Sequence, residues 1–375
     1  MLGASALYVH ADLPDQSLGG TNGAIELYNL GFDAQWEADL WGGKRREADK
    51  AEAEAGVAAA MLADARVALS AEVARTWISL RAREASLALI ERRLAAEHAL
   101  VAWSRGRLSG GTGTRQELAG AEARVSRSTA ERAAVAADIA VLGDALAVLT
   151  GEAPDAPGTL AAGEVPLPPA GVAVGNPAAM LARRPDVMAA ERRLAAAGAA
   201  LGAARARRFP ALSLTGIVGL GGASLEDLID TSQASILAIP RLTWNFLDFG
   251  RTAAAVDAAD AGREAALADY RGAVLAALGD AEAALARFGA ARIALVEAGQ
   301  GARHAAEIAR LQHLRARAGT TSAPEAAQAD IAAIDARIAE VNARANLTLA
   351  YATLAKSLGL GWETAPEPES APEPR

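Results

Sequence analysis

The side chains that most often perform catalysis are few in this chain and are not arranged as in known active sites. Its 375 residues include no cysteine and four histidines, His10, His98, His304 and His313. None of the histidines stands in an HExxH or His-x-His pattern, and no GxSxG nucleophile elbow or GxxxxGK[ST] phosphate loop occurs. The sequence therefore predicts a protein that is not an enzyme and that binds no cofactor and no metal.

Composition excludes further classes of function. Asp and Glu outnumber Lys and Arg by 45 to 37, and the net charge of −8 argues against a nucleic-acid partner. The lack of cysteine excludes disulfides, thiolate chemistry and a lipidated thiol within this sequence. Hydrophobic residues make up 52% of the chain but aromatic residues only 4%, so most apolar side chains are small.

Two regions alternate between apolar and polar residues, which predicts β-strands with one apolar face. Between residues 27 and 40 the even positions are apolar, and the odd positions are mostly polar. We expect one strand pair over about residues 4–41 and a second over about 211–249. No run of about 18 apolar residues without charge occurs, so we predict no membrane-spanning helix.

A long tract without proline follows each strand pair and predicts a helical hairpin. Residues 43–104 and 252–317 lack proline, and apolar residues recur every seven positions in both tracts, which indicates left-handed supercoiling. Each tract ends at a short segment rich in Gly and Thr, and a second predicted helical segment follows it. We therefore predict helical hairpins over about residues 43–150 and 251–358.

The two halves of the chain repeat each other. Trp, Gly, Thr and Arg residues recur at one constant offset, as for Trp36 and Trp244 (244 − 36 = 208). Such matches indicate an internal duplication. We predict a first structural repeat over residues 1–150 and a second over residues 176–362.

The segments outside the shared pattern differ in character. Residues 151–175 are rich in Pro and Gly and predict an irregular linker, and the acidic, proline-containing tail 363–375 predicts disorder. The second repeat opens with a predicted helix at about 177–208, and its counterpart in the first repeat would precede Met1. We therefore expect an N-terminal helix and an export signal to be absent from this chain.

Several motifs resemble those of outer-membrane efflux channels of the TolC/OprM type. Residues 28–42 are similar to the strand-to-helix signature of that family, and residues 183–186 (Arg-Arg-Pro-Asp) to the segment that opens the second half in the OprM/NodT-like branch. Residues 249–251 (Phe-Gly-Arg) match the second strand exit. The resemblance extends to Trp362.

The resemblance implies a fold of the α+β membrane class. Long α-helical hairpins would form a periplasmic α-barrel, and four β-strands per protomer would contribute to a trimeric, twelve-stranded outer-membrane β-barrel. It also implies a location in the bacterial outer membrane, spanning into the periplasm and in contact with outer-membrane lipid. A full-length form would be a possible lipoprotein.

The function implied by the resemblance is that of a passive exit duct. The chain would be the outer-membrane channel of a tripartite efflux system of the resistance-nodulation-division type, used for small molecules such as drugs or metals. A periplasmic adaptor (membrane fusion protein) would join the homotrimer to an inner-membrane pump. A type I secretion channel, a soluble alanine-rich coiled-coil scaffold and a non-functional truncated remnant remain alternatives.

The resemblance further implies roles for individual residues. It assigns a periplasmic gate to Glu117 and Glu325, although Pro324 and Gln328 depart from the usual pattern. It assigns adaptor contact to the residues at the two hairpin tips: Arg107, Gly111, Thr112, Thr114, Arg315, Gly319, Thr320 and Ser322. Aromatic residues at the strand exits fit an interfacial girdle: Trp36, Trp41, Trp244 and Phe249. The basic pairs 183–184 and 207–208 are expected to be solvated or near lipid headgroups.

Overall fold

The computed structural model describes residues 2–11, 25–154, 164–169, 180, 182–222 and 234–360. Its elements in chain order are β1 (Leu2–Ala11), β2 (Ile25–Ala38), α1 (Gly43–Ser109), α2 (Arg115–Thr150), α3 (Pro185–Ala206), β3 (Ala211–Gly222), β4 (Ala234–Thr243), α4 (Arg251–Arg317) and α5 (Ala323–Ser357). The expected combination of strand pairs and long helical hairpins is confirmed. Most of the predicted linker and all of the predicted disordered tail lie outside the described residues.

The four strands form one antiparallel sheet in the order β1-β2-β3-β4. Phe32 of β2 lies opposite Val218 of β3, which lies opposite Ile236 of β4, so the three share one face. All three are exposed. The register places Glu37, Ser213 and Arg241 in a row on the other face. The alternation in the sequence therefore predicted the two faces correctly.

The second strand pair ends earlier than predicted. β4 stops at Thr243, whereas the sequence pattern continued to about residue 249. The indole N–H of Trp244 donates a hydrogen bond to the backbone oxygen of Arg208 at 3.1 Å. Asp248 accepts a hydrogen bond from the backbone N–H of Thr252 at 2.7 Å. Trp244 and Asp248 thus bond to the segment before β3 and to the start of α4, and neither takes part in the hydrogen-bond ladder of the sheet.

Small residues and short apolar clusters hold the helices together. Ile90 of α1 is almost fully buried and packs in a cluster with Val135 of α2, and Ile338 of α5 packs against the same cluster. A second cluster joins Ile78 of α1 to Ala345 of α5. Such clusters are typical of helices that approach closely along their length.

The chain forms two compact units. One consists of Met1–Ala58 with Ala190–Tyr270, and the other of Ala59–Ala189 with Arg271–Arg375. Each unit therefore combines matching parts of both sequence repeats, and neither repeat is a compact unit by itself. The helix bounds nevertheless keep the offset of the sequence, since α1 begins at residue 43 and α4 at 251 (251 − 43 = 208).

The start of the second half differs from the predicted helix at 177–208. Ala182 and Arg183 form a turn, and α3 begins at Pro185. Proline disfavours the helical conformation of the residue before it and lacks the N–H of a helix interior, so it fits the first position of a helix. Residues 176–179, where we placed the start of this helix, lie outside the described residues.

Arg184 is buried, and our expectation of a solvated or lipid-facing side chain is wrong for it. Its guanidinium donates hydrogen bonds to the backbone oxygens of Ala277 and Ser357, both at 3.2 Å, and to the carboxylate of Asp186 at 2.7 Å. Asp280 accepts a further one at 3.2 Å. The arginine therefore ties the start of α3 to the middle of α4 and the end of α5.

One described helix, α2, is long and apolar enough by composition to cross a membrane. We expected no such helix, because every apolar run is broken by a charge. Length and composition alone do not make α2 a membrane span, since core helices of soluble proteins can meet the same criteria. Val135 of α2 packs against α1, whereas Val141 and Val148 are exposed.

Candidate functional site

The tip of the first hairpin is a turn closed on one carbonyl group. The backbone oxygen of Arg107 accepts hydrogen bonds from the N–H groups of Thr112 at 2.9 Å and Gly113 at 3.0 Å. Gly111 has a φ of +70°, in the left-handed region that glycine enters without a Cβ penalty. This arrangement is the usual glycine stop of a helix.

A capping box starts the return helix of the first hairpin. The backbone N–H of Glu117 donates to the hydroxyl of Thr114 at 3.2 Å, and the N–H of Thr114 donates to the Glu117 carboxylate at 3.4 Å. The Arg107 guanidinium lies 3.6 Å from that carboxylate and 4.9 Å from the ring centroid of Trp103. The structure therefore brings two of the predicted tip residues, Arg107 and Thr114, together with the predicted gate residue Glu117.

The second tip repeats the turn with different side chains. Gly319 has a φ of +72°, and the N–H of Thr320 donates to the backbone oxygen of Arg315 at 2.9 Å. Glu325 accepts hydrogen bonds from the Ser322 N–H at 2.9 Å and the Ser322 hydroxyl at 3.1 Å. All of the predicted residues of this tip take part in the turn or in the helix start.

The Glu325 carboxylate also accepts a hydrogen bond from the Thr321 hydroxyl. The hydrogen bonds from the Thr321 hydroxyl and from Ser322 hold the pKa of Glu325 below its usual value. The side chain is therefore ionised at neutral pH, and its first role in the fold is to cap α5.

Cross-hairpin ion pairs near both tips escaped the sequence analysis. Arg105 pairs with Glu122 at 3.0 Å in the first hairpin, and His313 contacts Asp330 at 2.7 Å in the second. The two pairs are related by the same offset of the repeats (313 − 105 = 208; 330 − 122 = 208). A comparison of charged residues at this offset would have shown that the two pairs occupy matching positions, but not that the members of each pair are in contact.

The other candidate region is the strand exits, the segments that connect the strands with the helices, and tryptophan side chains hold these segments in place. The indole N–H of Trp41 donates to the backbone oxygen of Pro210 at 2.8 Å, and the Trp41 ring stacks on Phe209 with centroids 4.5 Å apart. Trp36 lies on the apolar face of β2 and is 63% exposed. Phe249 is 98% exposed and has a positive φ of 55°. The predicted interfacial aromatics are therefore all on the surface of this chain.

Aspartates cap the two helices that leave the sheet. Asp39 accepts hydrogen bonds from the N–H groups of Arg45 at 2.9 Å and Lys44 at 3.0 Å, and these bonds lower its pKa. Asp248 does the same for Thr252, whose hydroxyl and N–H lower the pKa of that carboxyl. Both caps stay ionised at neutral pH.

The described part of the chain contains no group of three or more His, Asp or Glu side chains that could hold a metal ion. The two candidate regions instead consist of helix caps, surface aromatics and isolated charges. Exposed aromatic rings and charges of this kind can contact a membrane or another protein.

Comparison with known families decides the class of protein. The family model described as outer membrane efflux protein matches residues 3–152 and 176–360. The chain belongs to the outer membrane efflux protein family. Membership assigns it to the bacterial outer membrane and the adjoining periplasm, as the motifs at residues 28–42 and 183–186 implied.

Individual relatives agree with this assignment. The chain is 31% identical over 263 residues to outer membrane protein OprJ of Pseudomonas aeruginosa, an alignment that covers 69% of this chain and 55% of OprJ. It is 29% identical over 266 residues to the solvent efflux pump outer membrane protein SrpC of Pseudomonas putida, covering 69% of this chain and 55% of SrpC. The chain thus spans about half the length of these curated relatives.

A solved channel structure shows the same fold. The outer-membrane channel OprN superposes with a TM-score of 0.82 at 28% sequence identity, over 96% of this chain and 81% of that one. The chain therefore has the fold of an outer-membrane efflux channel subunit, with long α-helical hairpins and a four-stranded contribution to a β-barrel.

Proposed function

We propose that this chain is the outer-membrane channel component of a tripartite efflux system of the resistance-nodulation-division type. It would act as a passive exit duct for small molecules such as drugs or metals. The observation that carries the proposal is the open, two-faced sheet. One face exposes the row Phe32, Val218 and Ile236, and the opposite face carries the polar row of Glu37, Ser213 and Arg241.

Such a sheet needs further strands in a membrane. β1 and β4 lie at its edges, and unpaired backbone groups at a sheet edge are costly in lipid. Membrane barrels have at least about eight strands, so one chain is too small. Three copies with four strands each give twelve strands, with the apolar row facing lipid and the polar row facing the lumen. This arithmetic supports a homotrimer.

The hairpin tips are the proposed contact surface for a periplasmic adaptor, which would link the trimer to an inner-membrane pump. Their exposed turns, centred on Gly111 and Gly319, each lead into a return helix that begins with a capping box. The pump would supply the energy, because the sequence contains no nucleotide-binding motif. We propose no catalytic activity for this chain.

Glu117 and Glu325 are the proposed gate residues. Each is ordered by a capping box, and the low pKa of Glu325 keeps that carboxylate charged. Three carboxylates around an axis would attract cations and repel one another, so a closed gate would depend on bound counter-charges. In this proposal both side chains combine a structural role with an electrostatic one.

Purification in detergent, followed by planar-bilayer recording, tests the channel proposal. We expect a trimer that requires detergent or lipid and that conducts ions. A chain that stays monodisperse and monomeric in buffer would support the soluble scaffold, and detergent-dependent aggregates without conductance would support the truncated remnant. Either result contradicts the channel proposal.

The gate is tested on the conducting protein. We expect Glu325→Ala to weaken the block of single-channel current by divalent cations, and Glu117→Ala to do so as well. Glu91→Ala is the matched control, since Glu91 is an exposed glutamate of α1 away from both tips. If the gate variants and the control give the same block, these glutamates act as helix caps only.

A further inference from the structure

Three exposed arginines lie beside the aromatic residues at the strand exits. Arg45 follows Trp41 by four residues, Arg208 directly precedes Phe209, and Arg251 comes two residues after Phe249. All belong to the compact unit that contains the sheet. The aromatic side chains beside them are exposed as well. Arg45 and Arg251 thus lie close in sequence to Trp41 and Phe249, which we place at the membrane boundary, and Arg208 precedes a ring that stacks on Trp41.

These arginines differ from two neighbouring cations, Lys44 and Arg207, in their partners. Lys44 and Arg207 both pair with Glu47, at 3.5 and 3.4 Å. Across the described ranges, the guanidinium groups of Arg45, Arg208 and Arg251 have no carboxylate within 4.0 Å. The charge of Arg251 helps to lower the pKa of the Asp248 carboxyl, but none of the three guanidinium groups forms an ion pair with a described residue, so their N–H groups can donate to an anion from outside the chain.

The stability of the helices does not explain the positions of two of these arginines, Arg45 and Arg251. Arg45 and Arg251 stand in the first turn of α1 and α4, and neither first turn contains an acidic residue. The positive end of the helix dipole disfavours cations at such positions. Asp39 and Asp248 already accept the N–H groups there. An external anion would therefore bind the guanidinium groups, not the helix ends.

The third arginine is held in place by tryptophan. The indole N–H of Trp244 donates to the backbone oxygen of Arg208, and that of Trp41 donates to the backbone oxygen of Pro210. Trp41 also stacks on Phe209, between these two residues. Two hydrogen bonds to carbonyl groups thus hold the connection from α3 to β3 in place, and they keep the backbone of Arg208 next to the aromatic residues of the strand exits.

We propose that Arg45, Arg208 and Arg251 bind the phosphate groups of anionic phospholipid headgroups at the periplasmic boundary of the outer membrane. The planar guanidinium group donates two parallel hydrogen bonds to phosphate oxygens. Tryptophan and other aromatic rings prefer the headgroup level of a bilayer, which brings the arginines to the same depth. The inference rests on the proposed channel function, because that function places the strand exits at the membrane surface.

Native mass spectrometry of the detergent-purified chain, titrated with palmitoyl-oleoyl-phosphatidylglycerol, tests the proposal. The test protein carries Arg45→Gln, Arg208→Gln and Arg251→Gln, singly and together. Each arginine near an anionic surface strengthens binding about fivefold, so we expect about that loss per substitution. The matched control carries Arg66→Gln, Arg127→Gln and Arg132→Gln, three exposed arginines of the other compact unit, and should bind the lipid like the unaltered chain.

Three results would overturn the inference. The first is unchanged lipid binding by the triple variant in a trimer, which leaves the channel proposal intact. The second is an equal loss in the control, which indicates unspecific charge attraction. The third is displacement of the lipid by millimolar inorganic phosphate, which indicates a site for small anions. A monomer that needs no detergent would instead contradict the channel function.

Discussion

The two hairpin tips share a backbone design and differ in the side chains that complete it. In each tip, a glycine with positive φ ends the first helix. A threonine N–H then donates to the backbone oxygen of the arginine five residues earlier, Thr112 to Arg107 and Thr320 to Arg315. The first tip adds an ion pair between Arg107 and Glu117, whereas the second gathers hydroxyl donors around Glu325. A duplicated turn therefore keeps its backbone hydrogen bonds while its electrostatics diverge.

The largest expected difference between the tips concerns Gly113, which corresponds to Thr321 in the second tip. A Cβ at position 113 would lie 2.8 Å from the Cβ of Arg107 and 3.0 Å from the backbone nitrogen of Leu108. We expect Gly113→Ala to destabilise the first tip by about 2 kcal/mol through overpacking. Hydrogen exchange of the tip peptides measures the local opening free energy. Thr321→Ser is the control, because it keeps the hydroxyl that donates to Glu325, and an equal effect there would show that Gly113→Ala does not act through overpacking.

A smaller and equal effect is expected at the two turn glycines. Gly111 and Gly319 have φ angles of +70° and +72°, and no atom lies within 4 Å of a Cβ built on either. Alanine at these positions meets only backbone strain, so each substitution should cost about 1 kcal/mol. Gly106→Ala, in the interior of α1 with equally open space, should not destabilise the helix. If the two alanine substitutions destabilise their tips by different amounts, the packing around the two turns differs although their backbones match.

The cross-hairpin pairs near the tips should contribute little to stability in either hairpin. Both pairs are exposed, Arg105 with Glu122 and His313 with Asp330, and exposed ion pairs typically add at most about 1 kcal/mol. We expect Arg105→Gln and His313→Gln each to lower the opening free energy of its own hairpin by no more than that amount, as measured by hydrogen exchange at one fixed pH. A clearly larger loss in one hairpin only would show that these pairs distinguish the tips.

The smallest expected effect concerns Glu325 at low pH. Its pKa is lowered from 4.5 in the folded chain, chiefly by the Thr321 hydroxyl and the Ser322 N–H. A carboxyl with a depressed folded-state pKa stabilises the fold above its unfolded pKa, and this contribution is lost as the pH falls through the folded value. We therefore expect the second tip to loosen below about pH 4.5. Glu325→Gln should abolish this loosening, as measured by hydrogen exchange corrected for intrinsic rates.

The sequence predicted the periodic features of the fold well. Alternation around Phe32 and Trp36 identified the apolar face of β2, and the proline-free tracts identified both long hairpins. Each of these signals is local, because side-chain direction in a strand or helix follows from the backbone period alone. The constant offset between Trp36 and Trp244 likewise required only comparison of the chain with itself. The family motifs then fixed the class of protein, which the comparisons confirmed.

The tertiary structure alone decided which charged and polar groups meet. Arg184 and Arg208 belong to similar basic pairs in the sequence, yet Arg184 is buried against two helix carbonyls and two aspartates, and Arg208 remains exposed. The bond from Trp41 to Pro210 joins residues 169 positions apart. Such contacts depend on the distances that packing sets between elements, and residue type and spacing along one element carry no information about those distances.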